Sequence, residues 1–411
     1  MSAPLQLSIV NFQKGAYIIV EGKANADYFF IIRSGKVRVS KEVEVVQEEG
    51  GGVFGPGDFF GVVSTMSSHS HIETAQAMTD VSLISVHREQ YHMLIQRNTP
   101  VAMKIIESFS RRMRYLDDAL ARRTLKSHAD EGDISHLFEV GEYYARQSQY
   151  NQAYYAYYQY LKFCPRGEHV TTARERLAKI KPYSKAVYLN EEEKEFTRTY
   201  PKDTMIFSEN MPGKEMYIIH KGSVAITKIL NDTEVMLAVL NKGEMFGEMS
   251  LIESRPRSAS AIAREEVVLL AVNKDNFERM VRQNPEIIAR LTTTLGERIW
   301  FMYKQLANTL LGDPVGRMYD YLHIQLEKDR IPFRSGEPHT FKFGTKELIN
   351  LVGLPMAEGN QAVRDLLKDS KIKVADTRVH TTDVESIEKQ ASFYRNQERR
   401  ERARREQRRN G

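Results

Sequence analysis

Residues 243–263 read GEMFGEMSLIESRPRSASAIA, and the fold of the chain turns on this stretch. Gly247 and Glu248 stand beside a short apolar turn. Nine residues after Glu248 comes Arg257, followed at once by Ser258 and Ala259. These are the groups a sugar phosphate requires. A guanidinium grips two phosphate oxygens together. Small residues and backbone N–H groups at the start of a short helix admit an anion without crowding it. A carboxylate accepts a hydrogen bond from a ribose hydroxyl, and glycine lets the backbone come close. The plainer reading is a hairpin with one surface arginine and one surface glutamate, but surface ion pairs need no such neighbourhood of small residues.

The order Phe-Gly-Glu, an apolar pair, then Pro-Arg-Ser-Ala resembles the phosphate-binding cassette of cyclic-nucleotide-binding domains, as found in the catabolite activator protein family and in kinase regulatory subunits. The resemblance implies that Arg257 holds a cyclic phosphate, that Glu248 takes the ribose 2′-hydroxyl, and that Ser258 meets the phosphate through its backbone N–H. Gly247, Met249 and Ala259 complete the implied pocket. The implied ligand is a cyclic nucleotide, cyclic AMP ahead of cyclic GMP.

The chain also aligns with itself at an offset of about 186 residues. Phe60 and Gly61 lie over Phe246 and Gly247, Tyr91 over Phe277, and the run VSLISV from Val81 over VVLLAV from Val267. Gln96, Arg97 and Asn98 lie over Arg282, Gln283 and Asn284. Both copies show short alternating strands punctuated by glycine, as a β-roll does, and each runs into a long amphipathic helix. The first copy departs from the cassette where its chemistry lies. Val62 stands in the place of Glu248 and His71 in the place of Arg257. It is therefore expected not to bind a cyclic nucleotide in the usual way. His69, His71 and Glu73 would share one face if that stretch were a strand, which is weak grounds for a metal site, and none is assigned. Gly50, Gly52 and Gly55 match a GxGxxG pattern, but Pro56 follows and no helix opens, so a turn is expected.

After the second copy, Ile288, Leu291, Leu295, Ile299, Met302, Leu306 and Leu310 recur every three or four residues, a narrow apolar stripe of coiled-coil type. By resemblance, this helix (residues 286–311) forms a homodimer interface and closes over the base. The same resemblance turns Arg298 toward the nucleotide. Met302 and Tyr303 replace the small hydroxyl pair expected for purine contacts. Trp300 or Tyr303 either stacks on the purine or packs against the roll.

The whole chain has 411 residues, 41% hydrophobic and 27% charged, enough for two to four domains. It has no apolar run long enough to span a bilayer and no signal-peptide pattern at MSAPLQLSIV. Cys164 is the sole cysteine. No internal disulfide can form, which points to a reducing, cytoplasmic setting with no membrane partner. The net charge of +5 is matched by the tail at residues 395–411, with eight arginines against three glutamates, so the rest is close to neutral.

Between the copies, Leu137, Val140, Gly141, Tyr144, Ala153, Tyr157 and Pro165 fall at tetratricopeptide spacings. This reads as a helical spacer, with a tyrosine-dense surface as a possible protein-docking face. Beyond Gly312, a helix, a strand-like Phe341-Lys342-Phe343, an N-cap at Thr345, a turn at Gly353–Pro355, a helix from Met356 to Asp369 and two strands near Ile372 and Arg378 resemble a winged helix–turn–helix. Asn360, Gln361 and Arg364 are the base-reading types there. Gly359 weakens that helix, and a retained fold without DNA affinity stays open. The tail has no apolar face and is expected to be disordered or a solvated helix, either contacting phosphates or idle.

The expected class is α+β multidomain. Residues 1–125 form a degenerate roll with its helix, 126–190 a tetratricopeptide-like linker, 191–311 the ligand-binding roll with its long helix, 312–390 a winged helix, and 391–411 a basic tail. The expected function is a non-enzymatic, cyclic-nucleotide-responsive transcription regulator that binds DNA. The alternative is a cyclic-nucleotide-binding regulatory or scaffold protein whose winged helix does not bind DNA.

Overall fold

A computed structural model describes residues 7–24, 26–41, 52–125, 133–185, 196–230, 233–277 and 285–410. Gly50 and the repeat match at Arg282, Gln283 and Asn284 lie outside the described residues. The chain divides into two units: Met1–Asp118 with Ser127–Trp300, and Ala119–Lys126 with Phe301–Gly411.

The first unit contains both rolls. Strands β1 (Ser8–Phe12), β2 (Tyr17–Ile19), β3 (Tyr28–Ser34), β4 (Val37–Ser40), β5 (Val53–Phe54), β6 (Phe59–Phe60), β7 (Thr74–Ala77) and β8 (Val81–His87) form two four-stranded sheets, ordered β1-β8-β3-β6 and β2-β7-β4-β5. Alternation builds them: Val37 and Val39 are buried while Arg38 and Ser40 are exposed. The second roll uses β9 (Thr197–Tyr200), β10 (Met205–Phe207), β11 (Glu215–Lys221), β12 (Val224–Leu230), β13 (Thr233–Leu240), β14 (Met245–Phe246), β15 (Ser260–Ala263) and β16 (Val267–Asn273). Its sheets run β14-β11-β16-β9 and β10-β15-β12-β13, the same orders strand for strand. Each roll carries one short helix, α1 (Val62–Ser67) and α7 (Glu248–Glu253). Each opens on a left-handed glycine, Gly61 at φ 79° or Gly247 at φ 76°, and closes on a left-handed serine, Ser68 or Ser254. The repeat seen in the sequence is thus a repeat of backbone geometry.

Helices α2 (Tyr91–Arg97) and α3 (Thr99–Leu125) follow the first roll. The second roll runs into α8 (Pro285–Asn308), which crosses the unit boundary after Trp300. Within the first unit each long helix packs on the opposite roll. Gly296 of α8 meets the Val63 carbonyl, Met66 and Phe109. Tyr91 Oη and Thr292 Oγ1 are 3.0 Å apart, and Trp300 Nε1 donates to the Ser70 carbonyl. In return, Arg114 of α3 donates to Glu253 Oε2 at 2.8 Å and to the Pro256 carbonyl, and Lys228 donates to Asp118 Oδ1 at 2.6 Å. The two rolls therefore pack within one chain. Ile288, Leu291, Leu295 and Ile299 of α8 are buried inside a single chain.

The spacer is α4 (His136–Arg146), α5 (Tyr150–Phe163) and α6 (Val170–Ile180). Gly141 allows Tyr157 to lie flat against α4; a Cβ there would come within 2.6 Å of the ring. Leu137, Tyr144, Tyr157 and Tyr160 share one buried cluster with Met205, Met211, Ile229 and Ile262 of the second roll. Tyr155 Oη donates to the Ile206 carbonyl and Tyr144 Oη to Glu234 Oε1. The tyrosine-dense face expected to dock a partner protein is spent on the second roll.

The second unit holds α9 (Pro314–Lys328), whose N-terminus is capped by Asp313 accepting from Gly316 N–H. It continues through β17 (His339–Thr340), α10 (Thr345–Leu351), α11 (Met356–Leu366), β18 (Ile372–Ala375), β19 (Arg378–Thr381) and α12 (Val384–Asn410), with sheet order β17-β19-β18. Several boundaries move. The strand precedes Phe341. Thr345 lies inside α10, with Gly344 before it and Glu347 Oε2 accepting the Gly344 N–H. The α11 helix ends at Leu366 rather than Asp369. Gly359 has a packing reason: a Cβ would press into Ile349 of α10. The tail, expected to be disordered or a solvated helix, is the continuation of α12 and is docked at its start. Val384, Ile387 and Ala391 are fully buried, and Arg395 pairs with Asp320.

Because Gly296 is the close-approach point between α8 and the first roll, Gly296→Leu is expected to destabilise the chain by about 1–3 kcal/mol through overpacking. Chemical denaturation of the variant against the parent measures this.

Candidate functional site

The second cassette is built from β14, α7 and the loop leading into β15. Gly247 must be glycine on two counts, its positive φ and the approach of Arg257, whose Nη1 would lie 2.5 Å from an added Cβ. Arg257 is 5% exposed. Its Nη1 donates to the Gly247 carbonyl and to Ser250 Oγ, each at 2.7 Å, and its Nη2 donates to the Glu215 carbonyl at 2.7 Å. The guanidinium lies over Phe207 at 4.1 Å from the ring centroid. Its Nε has no partner. Among the described residues no carboxylate comes within ion-pair distance of it, and burial pulls its pKa below the ordinary guanidinium range. A permanent cation is thus buried among neutral acceptors, an arrangement that costs several kcal/mol unless an anion completes it.

Glu248 is 1% exposed and opens α7. Its Oε1 accepts from Arg298 Nη1 at 3.1 Å, while Oε2 is buried without a partner. Arg298, on α8, also donates to the Met245 carbonyl. The sequence-derived set Gly247, Glu248, Arg257 and Arg298 therefore converges on one cassette. Met249 and Ala259 are buried beside it, and Ser258 is half-buried with its Oγ toward Met249 Sδ. Of the two readings for Trp300, stacking on the purine or packing on the roll, the packing one is observed. Trp300 does not face the cassette; its ring stacks on His69 at 4.0 Å between centroids. Tyr303 falls in the second unit, beyond the boundary at Trp300.

The first roll's cassette is occupied from within. Glu73 is 3% exposed; its Oε1 accepts the Gly61 N–H at 2.8 Å and its Oε2 pairs with Arg112 at 3.1 Å. Residues 68–73 are not a strand, so His69, His71 and Glu73 share no strand face. An internal carboxylate lies at the glycine that opens the helix.

Sequence reasoning missed Phe207, Ser250 and Gly213, which shape the Arg257 slot. Ser250 had a local signal, three residues after Gly247. A Cβ on Gly213 would come within 2.6 Å of Arg257 Nε. It also missed Asp117 of α3, which had no local signal because it reaches this cassette only through tertiary packing. Asp117 is 5% exposed and interacts with the charges of Arg298, Lys228 and Glu248. Burial pushes its carboxyl up to about 7, against the pull of Arg298 and Lys228.

In the second unit Asn360, Gln361 and Arg364 all lie exposed on α11. Arg364 donates to Gln361 Oε1, and Gln361 donates to Asp365. Two of the three expected base readers are thus engaged with each other.

Two outcomes follow from the buried carboxylates. The folded pKa of Asp117 is raised, so its contribution to stability is present at low pH and is lost as pH rises from about 4 to about 7. The loss is at most roughly 4 kcal/mol, and urea midpoints of Asp117→Asn across that range should lack this slope. Glu73→Ala leaves the Gly61 N–H and Arg112 without their acceptor, an expected cost of about 3–5 kcal/mol readable from the same denaturation curves.

The family model for the cyclic nucleotide-binding domain matches this chain twice, over residues 9–98 and 197–284. A CRP-like cAMP-activated global transcriptional regulator of Mycobacterium tuberculosis is 28% identical over 194 residues, covering 47% of this chain and 86% of its own. The cyclic AMP receptor protein of Thermus thermophilus is 26% identical over 198 residues, covering 46% and 86%. A solved CRP/FNR-family transcriptional regulator, also from Thermus thermophilus, is 19% identical, covers 48% of this chain and 98% of its own, and has a TM-score of 0.38. Among the described residues no helix is long and apolar enough to cross a membrane. The chain is thus matched twice by the cyclic nucleotide-binding domain and is similar to CRP-type transcription regulators.

Proposed function

We propose that the chain is a non-enzymatic, cytoplasmic, cyclic-nucleotide-responsive transcription regulator, sensing through its second roll and binding DNA through a winged helix made by α10, α11, β18 and β19. The observation that carries the sensing is Arg257, a buried guanidinium without a counter-ion among the described residues, beside the unpartnered Oε2 of Glu248. A cyclic phosphate would supply the missing charge, and a ribose 2′-hydroxyl would donate to Glu248 Oε2. Ser258 and Ala259 then offer backbone N–H groups to the phosphate, and Gly247 and Met249 form the floor. Cyclic AMP is preferred over cyclic GMP because the named relatives are cAMP-activated. The first roll is a structural partner, its cassette held by Glu73.

Transmission starts at Arg298. It sits on α8 and grips Glu248, so a ligand that bonds Glu248 acts directly on the helix that continues past Trp300. The ligand must favour one arrangement of α8 over another to shift the equilibrium. The tetratricopeptide-like spacer braces the second roll. A second reading, a regulatory subunit acting through protein partners, draws on the pairing of Gln361 with Arg364, which leaves Asn360 as the one base reader of the three not tied to another.

Equilibrium dialysis with labelled cyclic AMP and cyclic GMP tests the site. Arg257→Ala should weaken binding by at least about 30-fold, the range for removing one partner of a buried charged pair. Glu248→Gln, which keeps the shape, should weaken it less. Equal affinity in parent and Arg257→Ala would remove the sensing reading.

A further inference from the structure

The segment joining β10 to β11, residues 207–213, walls the Arg257 slot and also holds that arginine's backbone. Asn210 N–H donates to the Arg257 carbonyl and Arg257 N–H donates to the Met211 carbonyl, each at 2.8 Å. Phe207 lies against the guanidinium, and Gly213 stands in front of its Nε. Whatever fixes this segment therefore fixes Arg257.

Its anchors lie on the helical spacer. Met211 belongs to the buried cluster built around Tyr144 and Tyr157. Asn210 Nδ2 donates to the Asp133 carbonyl at 3.3 Å, just before α4. Glu209 makes the third link. It is 1% exposed; its N–H donates to Ser260 Oγ at 3.0 Å, its Oε1 accepts the Ile229 N–H at 3.1 Å, and His136 Nε2 of α4 lies 3.4 Å from that same oxygen. A carboxylate this deeply buried calls for a cation beside it. Lys228 of β12 also feels its charge but is paired with Asp118, so His136 is the cation in contact. The ring is held from its other side too, with Nδ1 3.0 Å from Glu139 Oε2 on the next turn of α4. Asp133, in the turn before the helix, completes the charged groups facing it among the described residues. A neutral imidazole can donate to only one of two such acceptors, so the charged ring fits this place and the neutral ring does not. Burial works against the cation, but Glu209 and Glu139 outweigh it and raise the pKa above the ordinary histidine range.

We propose that His136 is a positioning residue for the nucleotide site, clamping residues 207–213 to the spacer through Glu209 and so keeping Arg257 aimed at the cyclic phosphate. The inference rests on the sensing reading above and deepens it, adding control of that site from outside the roll. The clamp holds while the ring is charged. It is fully present below about pH 6.5 and is lost as pH rises through the raised folded value. Nucleotide affinity therefore falls as pH rises, and by linkage a bound nucleotide raises the His136 pKa further. Asp117 titrates in the same range beside Glu248 and Arg298, so the test reads affinity ratios in which its contribution cancels.

Equilibrium dialysis of the full chain with labelled cyclic AMP and cyclic GMP, at acid, neutral and alkaline pH, compares the parent with His136→Gln, His136→Lys and Glu209→Gln. Near-ultraviolet circular dichroism verifies the fold of each variant at each pH. The parent should bind about 5-fold tighter than His136→Gln on the acid side, the lower end of coupling between sites, with the ratio closing to unity on the alkaline side. His136→Lys stays charged throughout, so its advantage over His136→Gln should not change with pH. In the Glu209→Gln background, His136→Gln should have no further effect. A parent-to-Gln ratio of unity at every pH shows no coupling, and a ratio above unity that never changes shows packing alone; either overturns the proposal. Binding by the parent that Arg257→Ala weakens leaves the sensing reading standing in both cases. No binding of either nucleotide by the parent at any pH overturns both.

Discussion

A single buried cation organises the second roll. Arg257 is held by two backbone carbonyls, a serine hydroxyl and an aromatic face, all of them neutral. Neutral acceptors can orient a guanidinium but cannot cancel its charge, and at 5% exposure water does not do so either. The surrounding backbone is bent to this purpose. Gly247 sits at positive φ so that Arg257 passes close by, and Gly213 leaves no Cβ in front of its Nε. The roll therefore stores an electrostatic deficit that an anionic ligand relieves.

The first roll has met the same constraint in the opposite way. Its cassette backbone is preserved, left-handed glycine and closing serine included, but the arginine is gone and a carboxylate is present. Glu73 fills the helix opening and Arg112 balances its charge. This roll is then free to serve as a fixed platform. Its helix α3 lends Arg114, Asp117 and Asp118 to the neighbourhood of the second cassette, while α8 lies on α1.

What the sequence made legible follows the range of the interactions. The cassette is local: Gly247, Glu248 and Arg257 lie within eleven residues, and their residue types with the resemblance to a phosphate-binding cassette placed them together. The repeat was legible because both copies obey the same strand periodicity. The readings that stay open in the sequence share a cause, which is that the deciding partner lies far along the chain. Trp300 stays open between stacking on the purine and packing on the roll until His69 and Ser70 are brought beneath it. The spacer tyrosines stay open between spacer core and docking face until Met205 and Ile229 meet them. The tail lacks an apolar face, so composition argues for disorder; it is ordered through polar side chains, Arg395, Glu398 and Arg402, that find partners on and before α9. Gly359 reads as a helix weakness until Ile349 explains it.

The asymmetry between a charge-deficient cassette and a self-filled one is read most directly by stoichiometry. Calorimetric titration of the intact chain with cyclic AMP counts the cassettes that are open. One site per chain is the expected result, with the second roll filled and the first closed by Glu73. Two sites per chain would show that Glu73 yields to a ligand. No heat and no thermal stabilisation with either cyclic AMP or cyclic GMP would contradict the claim that the unmatched charge of Arg257 marks a cyclic nucleotide site.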